Sequence, residues 1–282
     1  MISISTIEEL QEIGNNPDYP LDGEYELTQD INAINTENWN NGAGFKPIGT
    51  DENPFTGKFD GKGYKIIDLY INRNNTSCVG LFSKIDSNGI VKNVGLESAM
   101  VFGVVFVGSL VSENFGTVTD CYSIMCTVSG TWGVGGLVGW NYHGTISNCY
   151  CTGIVYGNAS DLHIENMTKI GCSCIGGLIG WNTKGTVTNS YSKCSVSGCD
   201  LIGGLIGENY EGSVINCNGS TLVSGRNSVG GLIGANYSGL VENCYSIASI
   251  SGYKDVGELV GYNNDGKIIC TNMKEIEEHK DK

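Results

Sequence analysis

The chain has 282 residues, of which 42 are glycine, 4 proline and 12 cysteine, and 30 acidic against 16 basic side chains leave a formal net charge of −14. Glycine without proline or a G-X-Y period excludes collagen, and a hydrophobic fraction of 40% excludes a disordered chain. No apolar run approaches the ~18 residues of a membrane span, and the scarcity of arginine (Arg73 and Arg226) argues against nucleic acid as a partner.

The opening MISISTIEELQEI has no basic stretch followed by an apolar run, so it does not read as a signal peptide. An intracellular protein, a mature form with an added Met and a fragment of something larger all stay open. Residues 5–13 predict a capping helix. Ser5 with Glu8, or Thr6 with Glu9, makes a capping box, and Ile7, Leu10 and Ile13 share one face. EYELTQDINA reads as a strand. The turns Asp60-Gly61 and Lys62-Gly63 then precede a strand from Tyr64 to Ile71.

From there the chain repeats. A block V/I-G-G-L-V/I-G, degenerate in its early copies, starts at Val107, Val134, Ile175, Ile202, Val229 and Val256, spaced 27, 41, 27, 27 and 27 residues. VGLFSKI at Val79 is a weaker earlier copy, and the long interval is one repeat plus an insertion near 156–169. Each block leads into an Asn, a Gly turn and alternating β segments such as GTISNCY and GTVTNSY. Glycines throughout every window oppose helix. Three short strands per 27 residues fit one coil of a solenoid and are too few for a propeller blade. The fold class is therefore all-β, a single-stranded β-solenoid in the form of a three-sided β-helix. Its parts are 1–72 (cap helix and first irregular coils), 73–270 (repeats) and 271–282 (a charged tail or cap).

Stacking turns equivalent positions into columns. Asn114, Asn141, Asn182, Asn209, Asn236 and Asn263 form one, expected as a structural amide ladder at a corner. Cys121, Cys149, Ser190, Cys217, Cys244 and, slipped by one, Cys270 form another. Their parallel Cβ vectors hold the sulfurs farther apart than a disulfide wants, so free buried thiols are expected. Pairing of Cys78, Cys126, Cys172, Cys174, Cys194 and Cys199 stays open, and the CxC pairs 149/151 and 172/174 are only a weak metal signal.

A third column faces outward around the ladder Asn. Trp140, Trp181 and Tyr262 precede it and Tyr142, Tyr210 and Tyr237 follow it. This aromatic strip fits either sugar or protein binding or packing against the insertion. The Gly-Gly pairs lack a following Lys-Ser/Thr and recur in most coils, so they are not phosphate loops. No HExxH or GxSxG motif appears. His163 with Asp161 and Glu165 is read as a polar loop rather than a metal site. Asp51, Glu52, Asp60, Asp68 and Asp86 are a possible Ca²⁺ set, set against a solvated acidic face. No catalytic residue, metal or cofactor is assigned.

The block GGLVG/GGLIG with its Asn, Gly and NCYS-like strand resembles the GLUG repeat. The lead-in DGEYELTQDI, FKPIG, FTGKFDGKGYKIIDLYI, VGLFSKI and IVKNVGL matches too, so the resemblance spans roughly residues 5–270. It implies a right-handed β-helical scaffold on or outside the cell, as in adhesin-like surface proteins and the non-catalytic part of immunoglobulin A metallopeptidases. It carries over no catalytic residues. The expected function is a non-enzymatic surface or secreted scaffold for adhesion to a glycan or protein. The alternative is a carbohydrate-active β-helix enzyme, a lyase or hydrolase. An ice-binding solenoid would need a regular T-x-T ladder, and only Thr117/Thr119 and Thr186/Thr188 fit.

Overall fold

The computed structural model describes residues 1–158, 172–219 and 222–270. The body of the insertion with Asp161, His163 and Glu165, and the tail 271–282, lie outside the described residues. The rest is one β-solenoid. Helix α1, Ile7–Glu12, opens it with Thr6 as N-cap and the Thr6/Glu9 capping box, and buries Ile7 and Leu10 against the first coils.

A complete coil carries four strands, not the three expected. Trp132–Gly135, Val138–Tyr142, Thr145–Ser147 and Tyr150–Gly157 are one set. Stacked on their equivalents, they build sheets I, II, III and IV of 6, 7, 10 and 12 strands. The fourth strand arises because the glycine-rich block, read as a single run, bends between its two halves. Ladders are parallel and in register: Val134 pairs with Ile175, Trp140 with Trp181, Ile146 with Val187 and Tyr150 with Tyr191. Sheet III runs unbroken from Ile2–Ile4 to Lys267–Ile269, nine steps of ~4.8 Å or about 43 Å.

Each coil points one or two apolar residues per strand inward. Val134, Leu137, Val138, Ile146, Cys149, Cys151 and Val155 are fully buried in one such coil. The block's later glycine keeps sheets I and II close: a Cβ on Gly180 would stand 2.4 Å from the carbonyl carbon of Gly133.

Three kinds of left-handed residue bend the coil. One sits in each sheet I strand (Phe106, Cys174, Leu201), one at the II–III corner (His143, Lys184, Glu211) and one at the III–IV corner. The last set is Asn93, Asp120, Asn148, Asn189, Asn216 and Asn243, all with φ between 50° and 54°. Asn and Asp tolerate this conformation best after glycine. This explains the Asn/Asp that stands before Cys121, Cys149, Ser190, Cys217 and Cys244 in the cysteine column.

Candidate functional site: an aromatic face on sheets I and II

Asparagines hold the corner beside this face. Nδ2 of Asn114, Asn141, Asn182 and Asn209 each donates to Oδ1 of the next ladder Asn at 2.7 Å, and Asn236 donates to Asn263 at 2.8 Å. The same amides also donate to turn carbonyls such as Gly144 and Gly185. The first five are fully buried. They fix the strand that presents the residues on either side of them.

Along sheet II the position before the ladder reads Lys84, Glu113, Trp140, Trp181, Glu208, Ala235 and Tyr262. Trp140 and Trp181 stack with centroids 5.4 Å apart and planes 16° apart. Two rings from sheet I join them. Phe106 stacks on Trp140 at 4.8 Å, and Trp132 lies 4.9 Å from Trp181. Phe115 and Tyr142 extend the cluster, at 5.9 and 5.1 Å from Trp140. All six rings are half-buried. Trp140 Nε1 donates to Thr183 Oγ1 at 3.0 Å.

The left-handed kink in sheet I builds this arrangement. Its side chain reaches the sheet II residue one coil on, so Cys78 meets Glu113, Phe106 meets Trp140 and Cys174 meets Glu208. In the coil between those of Phe106 and Cys174 the kink residue is Gly133, and there the Trp132 and Trp181 rings meet instead. Carboxylates therefore bracket the aromatic cluster. Cys78 Sγ donates to Glu113 at 3.1 Å, and Cys174 Sγ to Glu208 at 3.4 Å. Burial, then the neighbouring Glu113, pushes the Cys78 thiol up to about 12. Burial also raises the Glu208 carboxyl, against the opposing pull of the Cys174 thiol. At the other end Lys84 pairs with both Asp51, at 2.5 Å, and Glu113, at 3.6 Å.

The predicted strip is thus divided. Trp140, Trp181 and Tyr142 form the cluster. Tyr210, Tyr237 and Tyr262 form a looser string with centroid spacings of 6.5 and 5.7 Å, separated from it by Thr183 and Glu208. Phe106 and Trp132 were not anticipated, because they belong to a different strand column. The aromatic just ahead of the repeated block was the available signal. A second set was also missed: Tyr122, Tyr150 and Tyr191 stack on sheet IV at 5.1 and 4.9 Å with nearly parallel planes.

The proposed acidic set does not come together among the described residues. Asp60 is engaged by Lys62, Lys92 and Asn93, and Asp51 by Lys84. Cys121, Cys149, Cys217 and Cys244 are free and buried, each donating to a carbonyl two residues back, while Cys172 and Cys199 form a disulfide joining consecutive coils.

Four parallel ladders and a corner amide ladder define a single-stranded β-solenoid repeat protein. Three of its repeats match the family model of the GLUG motif, at residues 130–156, 171–200 and 225–251, about one coil each. Among curated proteins, halomucin from Haloquadratum walsbyi is 38% identical over 141 residues, which is 48% of this chain and 2% of halomucin. A protein named as a Gly-rich membrane protein, from Evansella cellulosilytica, is 35% identical over 82 residues, or 28% of this chain and 10% of that protein. The chain therefore matches only a small part of either relative's length.

Two solved structures share the fold at 17% identity. One is named as an immunoglobulin A1 protease from Bacteroides ovatus, with a TM-score of 0.64 over 91% of this chain and 84% of that one. The other is named IgA1 protease, with a TM-score of 0.65 over 96% of this chain and 21% of that one.

Proposed function

We propose that this solenoid is a non-enzymatic scaffold, displayed at the cell surface or secreted, that binds glycan through the face around Trp140 and Trp181. The carrying observation is the half-exposed, stacked tryptophan pair flanked by Phe106, Trp132 and two carboxylates. Aromatic faces suit the apolar faces of sugar rings, and the carboxylates accept from hydroxyl groups. A net charge of −14 favours neutral over anionic saccharides. The inter-coil disulfide suits an oxidising, extracellular compartment, and the membrane-protein name of one relative supports a surface location.

A carbohydrate-active enzyme is the second reading, favoured by the Asp51–Lys84–Glu113 trio beside the cluster. Against it, Glu113 and Glu208 stand three coil steps apart, about 14 Å, beyond the ~5–9.5 Å of paired glycosidase carboxylates. A glycan array run beside an assay for polysaccharide depolymerisation separates the two. Binding without chain cleavage is expected, with affinity falling about tenfold in Trp140→Ala, the equivalent of ~1.4 kcal/mol. Depolymerisation of any polysaccharide by the purified protein would overturn the first reading.

A further inference from the structure

Three thiols outside the aromatic face converge in the core under sheet IV. The sulfurs of Cys126, Cys151 and Cys194 all lie within 4.8 Å of one another, and those of Cys126 and Cys151 are 3.2 Å apart. The three residues come from three successive coils and are at most 1% exposed. Among the described residues this is the one group of three or more potential metal ligands close enough to share an ion.

The convergence is a property of the fold rather than of the cysteine column. The coil that holds Cys126 has one residue fewer at its II–III corner, where Phe115-Gly116 stands against Tyr142-His143-Gly144. It recovers that residue in sheet IV. Ser123 pairs with Cys151, but Cys126 pairs with Gly153, so the ladder slips by one across Ile124 and Met125. Met125 takes φ +53 at the bulge, and Gly153, opposite it, φ +133. Cys126, Gly153 and Cys194 then form one column. Its middle member has no side chain, and the Cys151 sulfur, from the adjacent column, meets the other two.

The surroundings differ from those of the other buried thiols. Cys121, Cys149, Cys217 and Cys244 each have a carbonyl at 3.1 to 3.2 Å to accept the S–H. Cys126 and Cys151 reach carbonyls only at 3.9 and 4.0 Å, while Cys194 has Gly177 O at 3.3 Å. The neighbouring Ser123 Oγ is buried without a hydrogen-bond partner. Bulges that re-aim a side chain recur at functional sites.

We infer that Cys126, Cys151 and Cys194 form a buried binding site for one soft, thiophilic metal ion, with monovalent copper the best fit. Three sulfur donors without nitrogen or carboxylate select for soft ions. Zinc asks for four ligands, and full burial leaves no solvent water to supply the fourth. Binding of Cu⁺ to two thiolates and one thiol releases two protons and leaves one net negative charge, with no change of oxidation state.

The test is anaerobic titration of the full, thiol-reduced chain with Cu(I) against a chromophoric chelator, followed by copper X-ray absorption. One tightly held copper per chain with a sulfur-only first shell is expected. Affinity should fall at least a hundredfold in Cys151→Ala and stay unchanged in Cys149→Ala, a buried thiol in the separate column. Should Cys151→Ala fail to fold, the wild-type absorption spectrum decides alone. A nitrogen or oxygen first shell, failure to hold copper against the chelator, or equal loss in the Cys149 variant overturns the assignment. So does a Cys126–Cys151 disulfide found by mass spectrometry in the protein as purified.

Discussion

Single side chains here act as members of rows, so a substitution is felt by its neighbours. Asn182 accepts from Asn141, donates to Asn209 and donates to Gly185 O. Asn182→Ala strands two buried amide groups, and each orphan costs ~1–3 kcal/mol. Urea unfolding should register a loss of about 3 kcal/mol. Asn263, exposed at the end of the row, should lose no more than ~1 kcal/mol. Equal losses at both sites would show that the ladder does not act cooperatively.

Asp60 gives a pH signature. Burial opposes its ionisation, but the Asn93 amide, the Lys62 backbone N–H and the Lys62 and Lys92 ammonium groups outweigh that and bring its carboxyl down to about 2. The unfolded value is ~3.9. Its contribution is therefore complete above about pH 4 and is lost as pH falls towards 2. Urea midpoints followed from pH 5 to pH 2 should decline more steeply in the wild type than in Asp60→Asn. Parallel curves would assign the acid sensitivity to other carboxylates.

At the scale of elements, corners and close approaches decide what is tolerated. Asn243 holds the III–IV corner with φ +51. Asn243→Gly should be nearly neutral, whereas Asn243→Val should cost ~1–2 kcal/mol, since a β-branched residue is strained there. Thermal midpoints of the two variants check this, and a tolerated valine would mean that the corner can rearrange. Gly180 is different: the cost arises from sheet I standing against sheet II. A methyl group there meets backbone at 2.4 Å and should destabilise by about 3 kcal/mol, read by the same melt.

For the whole molecule, each coil contacts chiefly its neighbours, so stability accrues coil by coil along the stack. The Cys172–Cys199 disulfide ties two consecutive coils across a sequence separation of 27 residues. A closed loop of that length is worth ~2–4 kcal/mol. Mild reductant should lower the denaturation midpoint of the wild type and leave Cys172→Ser/Cys199→Ser unmoved. A reductant effect that persisted in the double variant would locate it in another cysteine pair.

The 27-residue period by itself determined the solenoid, the stacking partners and the corner asparagines, because parallel in-register coils place residue i directly over residue i+27. The capping box at Thr6 was readable for a similar reason: it depends only on residues three apart. Contacts between different columns were decided by tertiary structure alone. Phe106 meets Trp140 because a left-handed kink turns one sheet towards the next. Cys126 meets Cys151 because a bulge repays a residue missing at the preceding corner. The glycine block keeps its 27-residue spacing through that exchange, so periodicity cannot reveal it. The arithmetic of a repeat fixes what lies along the stack, while the bends within a coil fix what meets across it.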